Sequence, residues 1–186
     1  MKPLLTSYLH KKRISVVRTF LKGDVLDLGC GSASIIQFLN KNQNYVGIEY
    51  DNRCVEDLKR KYPTYNFYTR DLEKDKLNIK GFKFDTILMI AVIEHLAHPD
   101  NIISECRKYL KPNSSLFITT PTSFGNNIIH KLGAKFGLFS KVAVKDHKII
   151  YDYKKMKFLL NKYRLKIVKH KKFEFGCNSL FEVKIK

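Results

Sequence analysis

Apolar positions along this chain change period repeatedly, and the changes outline its elements. Ile14, Val17 and Leu21 lie three and four apart, which predicts a helix over 14–21. Val25–Leu28 is a short apolar strand ended by Gly29, and Ile35, Ile36 and Leu39 predict a helix over 34–39. A strand over 45–48, a helix over 53–62 that stops at Pro63, and a weaker strand over 66–69 follow. Phe84–Ile90 is nearly continuous in apolar residues, as expected of a central parallel strand covered on both faces. Pro99 opens a helix that runs to Leu110 and is closed by Pro112, and Leu116–Thr119 is a buried strand stopped by Pro121. Ile128, Ile129, Leu132, Phe136 and Phe139 then form an apolar stripe, broken by Gly133 and Gly137, that predicts one or two short helices. A helix over 153–163 and strands over 165–173 and 180–185 complete the chain, with Gly176, Cys177 and Asn178 placed to turn a hairpin.

Strand and helix thus alternate five times before the hairpin. This predicts an α/β fold: a Rossmann-like, doubly wound, mostly parallel seven-stranded sheet with a C-terminal antiparallel hairpin. No repeat or linker divides the chain, so residues 1–186 read as one domain, with 122–150 an insertion or lid at the acceptor site. Ligands of such sheets bind beyond the carboxyl ends of the strands, near the switch in strand order. Asp27, Glu49, Asp71, the stretch 91–95 and the stretch 119–123 all fall there.

Composition narrows the partners. A 44% hydrophobic, 28% charged chain is not a disordered one, and 186 residues suffice for a sizeable core. The net charge of +18 attracts polyanions in principle, but the excess is mostly Lys spread along the chain, so a Lys-rich coding bias is the preferred reading. The dense stretch Lys154–Lys172 keeps nucleic acid as the less favoured alternative. Cys30, Cys54, Cys106 and Cys177 have no zinc-type spacing and read as free thiols of a reducing compartment. The first residues lack an apolar signal region and the longest apolar run, Ile87–Ile93, is too short to span a bilayer, so the expected location is the cytoplasm.

Chemistry concentrates at VLDLGCGSA, residues 25–33. A dinucleotide fingerprint needs a third glycine at position 34, where this chain has Ser34. Asp27 would sit awkwardly beside a pyrophosphate and would suit a cationic ligand. S-adenosylmethionine carries an ammonium and a sulfonium and no phosphate: Gly29 and Gly31 let the backbone approach its methionine portion, with Asp27 facing the ammonium directly or through water. Glu49, at the next strand end, is placed to accept both ribose hydroxyls, and Asp71 the exocyclic amine of adenine.

Together with GIEYD (47–51), RDLE (70–73), FDTILMIAVIEHL (84–96) and CRKYLKPNSSLFITTP (106–121), this turn resembles the class I S-adenosylmethionine-dependent methyltransferases, in their small-molecule and quinone-type branch. The resemblance implies that Gly29, Cys30 and Gly31 form the methionine turn, that Glu49 holds the ribose, that Asp71 and Leu72 hold the adenine with Tyr50 along the purine, and that Ala91 lines the same site. The plainer readings are that Asp27 or Asp71 caps a turn and that Glu49 is a solvated strand-end carboxylate. Asp85 precedes its strand and reads as structural.

Methyl transfer from a sulfonium is an in-line displacement in which orientation supplies most of the acceleration. A base helps when the acceptor is a hydroxyl, and His95 and His147 are the candidates; His98 reads as part of the turn opening a helix. Some quinone methyltransferases of this branch look like metal users with an E-x-x-E-H block. Here AVIEH has Ala91 at the first acidic position, so no metal is expected. Acceptor choice falls to 122–150, whose stripe with Lys131, Lys135 and Lys141 makes a lid or a membrane-surface contact. The expected acceptor is a small molecule methylated on O or N. The alternatives are an RNA methyltransferase using the basic C-terminal surface and a non-catalytic cofactor-binding module; nothing indicates an oligomeric state.

Overall fold

The computed structural model describes residues 4–127 and 147–186. Its principal elements are α1 (Leu4–Val17), β1 (Val25–Leu28), β2 (Tyr45–Glu49), α2 (Asn52–Lys61), β3 (Asn66–Thr69), β4 (Phe84–Ile90), α3 (Asp100–Tyr109), β5 (Leu110–Pro121), α4 (Tyr153–Asn161), β6 (Leu165–Phe173) and β7 (Asn178–Ile185). The seven strands form one sheet in the order β3-β2-β1-β4-β5-β7-β6. The first five are parallel, and β7 runs antiparallel between β5 and β6. The chain moves outward from β1 to β3 and returns to the other side of β1 as β4. The switch in strand order therefore lies between β1 and β4.

Alternation along the strands divides the core in two. Leu26, Leu28, Ile87, Met89, Leu116 and Ile118 pack with Ile102, Ile103 and Cys106 of α3 and Met156, Leu159 and Leu160 of α4. Val25, Tyr45, Phe67, Leu88 and Phe117 pack with Ile14 and Val17 of α1 and Val55 and Leu58 of α2. Asp51 caps α2 by accepting from the Arg53 and Cys54 amides, and Asp152 caps α4 through Lys155.

Three elements differ from the expected ones. Over 34–39 there is only a 3-10 turn, Ile36–Phe38, because the Gln37 side chain donates to the Ser34 carbonyl at 2.9 Å and Leu39 is already extended. The N-terminal helix begins at Leu4 and gives way to a 3-10 turn, Arg18–Phe20. Its register, with Ile14 and Val17 buried, is the expected one. β5 starts at Leu110, six residues early: its pairing with β4 jumps from Phe84↔Leu110 to Thr86↔Ser115, and a bulge with Asn113 at φ +63° absorbs the extra residues. The predicted helices within 128–146, with Lys131, Phe136 and the other lid residues, lie outside the described residues.

At the end of the sheet remote from the switch-point loops, Asp85 accepts from the Asp24 amide at 2.8 Å, and Lys111 bridges Asp24 and Asp85 at 2.9 and 2.7 Å. Glu105 of α3, buried, accepts from the Leu77 amide at 3.0 Å and pairs with Lys108. It thereby ties the loop before β4 to the helix. Glu105→Ala leaves a buried amide unpaired and is expected to cost about 1–3 kcal/mol in urea denaturation, whereas Glu105→Gln, which keeps an acceptor, recovers most of the loss.

Candidate active site

The turn after β1 is built by backbone conformation. Gly29 sits at φ +70° and Gly31 at φ +52°, where glycine carries little steric cost. The amides of Gly29 and Cys30 both donate to the Ile48 carbonyl, at 2.8 and 2.9 Å, so the turn is fastened to the end of β2. A Cβ at Gly29 would lie 2.5 Å from Cγ2 of Val92, in the turn that follows β4. A Cβ at Gly31 would meet nothing within 4 Å, which leaves open space for a ligand to approach the backbone.

Glu49 joins this turn to the next. Its Oε2 accepts from the Gly31 amide and its Oε1 from the Tyr50 amide, both at 2.8 Å. Oε1 also accepts from the Asp51 amide at 3.4 Å, and a carboxylate so held keeps lone-pair capacity for a further donor. It lines a cleft of about 500 Å³ over the switch point, together with Gly29, Ile48, Tyr50, Arg70, Asp71, Leu72, Glu73, Lys74, Ala91, Val92, His95 and Leu96. Asp71 accepts from the Glu73 amide at 2.9 Å, and this bond holds its carboxyl below the usual range. Ala91 adopts φ +54° and donates to the Thr119 carbonyl. Tyr50 is 73% exposed at the cleft.

Seven of the residues expected from sequence therefore share one cleft: Gly29, Glu49, Tyr50, Asp71, Leu72, Ala91 and His95. Asp27, Cys30, Gly31 and His147 do not line it. Asp27 is buried and accepts from the Tyr45 hydroxyl at 2.9 Å, and burial pushes its carboxyl up to about 7, with Glu49 adding to the rise. Cys30 is also buried, and burial pushes its thiol up. His147 stands beside the cleft: its ring lies 5.0 Å from that of His95, and its Nδ1 is 2.9 Å from Oδ1 of Asn126.

Two acidic residues here, Glu73 in RDLE and Glu94 in AVIEH, were given no site role from sequence. Glu73 accepts from the Ala97 and His98 amides at 2.6 and 2.8 Å and pairs with Lys148 at 3.1 Å. It ties the loop after β3 to the loop after β4 and to the segment leading to α4. His98 is accordingly a turn residue, donating through its backbone. Glu94 is 1% exposed, with no hydrogen-bond partner for either carboxylate oxygen, and its own carbonyl accepts from the Lys148 and Ile149 amides. Burial pushes its carboxyl up, opposed chiefly by Arg13. Its sequence signals are the Glu-His pair of AVIEH and its position directly behind the longest apolar run.

The Asp27 carboxyl makes stability depend on pH. With a native value of about 7 against an ordinary 3.8, the folded protein binds more protons than the unfolded chain between those values, so this group's contribution to stability falls as pH rises from about 4 to about 7. Asp27→Asn keeps an acceptor for Tyr45 and cannot ionise. Its urea midpoint is expected to gain on the wild type between pH 4.5 and pH 8; a constant gap would show that Asp27 titrates normally.

Comparison with known proteins gives a consistent picture. Residues 26–116 match the model of a methyltransferase domain family. The chain is 27% identical over 99 residues to a probable S-adenosylmethionine-dependent methyltransferase of Mycolicibacterium smegmatis, covering 53% of this chain and 38% of that protein. It is 29% identical over 126 residues to a ubiquinone biosynthesis O-methyltransferase of Coxiella burnetii, covering 64% and 53%. The chain thus spans about half the length, or less, of these curated relatives. Magnesium protoporphyrin IX methyltransferase from Synechocystis PCC 6803, solved with bound S-adenosylhomocysteine, superposes with a TM-score of 0.70 at 18% identity over 95% of this chain and 84% of that one, a likeness of fold.

Proposed function

Since residues 26–116 match a methyltransferase domain family and the chain is similar to S-adenosylmethionine-dependent methyltransferases, we propose that it is a class I S-adenosylmethionine-dependent methyltransferase that transfers the methyl group to an oxygen or nitrogen of a small-molecule acceptor. The carrying observation is Glu49, oriented by the Gly31 and Tyr50 amides at the mouth of the switch-point cleft. Such a carboxylate suits a vicinal diol such as a ribose. The open approach at Gly31 suits the amino-acid portion, and Asp71 with Leu72 suits the adenine edge, with Tyr50 along its face.

When bound, S-adenosylmethionine supplies an electrophilic methyl group on a sulfonium. The residues of this chain hold and orient. The Gly29–Gly31 turn, Cys30 included, cradles the methionine part over Asp27, whose carboxyl ionises readily once an ammonium approaches. Ala91 and Val92 wall the cleft at the reacting end. His95, with His147 beside it, stands on the acceptor side, where an imidazole can take the proton of an acceptor hydroxyl as the new bond forms.

A small-molecule acceptor is supported by the names of the relatives, which include a ubiquinone biosynthesis O-methyltransferase and a magnesium protoporphyrin IX methyltransferase. A cytoplasmic location accords with a chain in which no helix among the described residues is long and apolar enough to cross a membrane. The nucleic-acid reading draws on β6, an edge strand with exposed Lys166, Lys169, Lys171 and Lys172. Lysines on an edge strand also prevent sheet-to-sheet pairing, and that role suffices for them.

S-adenosylhomocysteine is expected to raise the melting temperature, and NAD to leave it unchanged. Glu49→Ala should weaken S-adenosylhomocysteine binding at least about tenfold by calorimetry, the loss of about 1.5–3 kcal/mol for a charged hydrogen bond. Stabilisation by NAD and not by S-adenosylhomocysteine would defeat the proposal.

A further inference from the structure

A second hollow lies at the end of the sheet remote from the cleft. The pairing of β4 with β5 jumps from Phe84↔Leu110 to Thr86↔Ser115, and beside this bulge a space of about 100 Å³ opens against the Arg18–Phe20 turn. Bulges are over-represented next to binding sites, where they re-aim side chains. Its walls include Phe20, Lys22, Asp85, Asn113, Glu182 and Lys184. The turn is fastened in place: the Lys22 amide donates to the Thr86 hydroxyl at 3.1 Å, and that hydroxyl donates to the Lys22 carbonyl at 2.8 Å. Phe20 stacks on Phe117 of β5, with ring centroids 5.0 Å apart.

The charges around this hollow do not balance. Asp85 pairs with Lys111, which also holds Asp24. Glu182 accepts from the Ser115 hydroxyl at 3.0 Å and stands opposite Lys169 in the β6–β7 ladder. Lys22, Lys166 and Lys184 have no ion pair among the described residues. Lys166 and Lys184 are directly opposite one another across β6 and β7, where like charges repel. Lysines 22, 111, 166, 169 and 184 thus meet only Asp24, Asp85 and Glu182, which leaves two positive charges over. Protection of a sheet edge accounts for lysines on β6. It does not account for Lys184 on the inner strand β7, nor for Lys22 in the loop before β1.

We propose that this hollow binds one phosphate group, inorganic or the terminal group of a phosphate monoester, between Lys22 and Lys184. A phosphate carries close to two negative charges at neutral pH, the number that the surrounding side chains leave unbalanced. Ammonium groups bind it as compact point charges on flexible stems, and a bound dianion also relieves the repulsion between Lys166 and Lys184. About 100 Å³ suits a single tetrahedral anion, so the remainder of an ester would extend outward over the partly exposed Phe20. The hollow shares no residue with the cofactor cleft, and its ligand does not depend on the methyltransferase reading.

The test titrates the full chain at low ionic strength with inorganic phosphate and with phenyl phosphate by calorimetry. One phosphate group per chain is expected, with the two probes competing; the tighter one identifies the source as free phosphate or an ester. Lys22→Gln and Lys184→Gln should each weaken binding at least about tenfold. Lys157→Gln, on α4 across the sheet, should leave it unchanged. Stabilisation by phosphate excluded from the protein surface would not distinguish these lysines. Circular dichroism and the melting midpoint in phosphate-free buffer establish that each variant is folded. No binding by the wild type, several weak sites per chain, equal losses from Lys157→Gln and Lys184→Gln, or full affinity in folded Lys22→Gln and Lys184→Gln would each overturn the site. If phosphate fails to bind while labelled methyl is still transferred from S-adenosylmethionine, only this inference falls. If phosphate binds and no methyl is transferred, the site stands and the function proposed above falls.

Discussion

One carbonyl organises the site. The oxygen of Ile48, at the end of β2, accepts the amides of both Gly29 and Cys30 and so forces the chain leaving β1 into a left-handed turn. That turn aims the Gly31 amide at Glu49, the residue following Ile48, and the carboxylate is thereby held from two sides. Side chains larger than hydrogen are excluded at Gly29 by Val92, so the same turn also sets its distance from the loop after β4. The cleft is the space between these two turns, and its shape follows from backbone contacts more than from any single side chain.

Around it the carboxylates divide by environment. Glu49 and Asp71 are held by amide donors at the cleft and serve as acceptors there. Glu73 spends both oxygens on neighbouring loops and a lysine, so that the loop after β3, the loop after β4 and the entrance to α4 are mechanically joined. Asp27 and Glu94 are buried, where a negative charge is unfavourable without a partner.

The large positive charge is not concentrated in the cleft, which carries Arg70 and Lys74 against Glu49, Asp71 and Glu73. Lysines instead mark β6, the exposed edge of the sheet. Net charge therefore says little about the ligand, whereas the position of a few carboxylates says much.

Seven strands, their order of appearance and the residues at their carboxyl ends were legible in the sequence, because a strand buried on both faces must be apolar and a parallel sheet collects its strand ends on one side. Glycines at 29 and 31 were legible as a turn for the same local reason. The failures were also local: nothing in the apolar spacing of 34–39 shows that Gln37 will capture a helix carbonyl, and nothing in KPNSS shows a bulge. Tertiary structure alone decided that Asp27 turns inward to Tyr45, that Glu73 bridges three loops, and that His147 meets Glu94 and His95. Those contacts join residues from 18 to 75 positions apart. Periodicity records which face of its own element a residue occupies; what lies opposite that face is settled only when the elements pack.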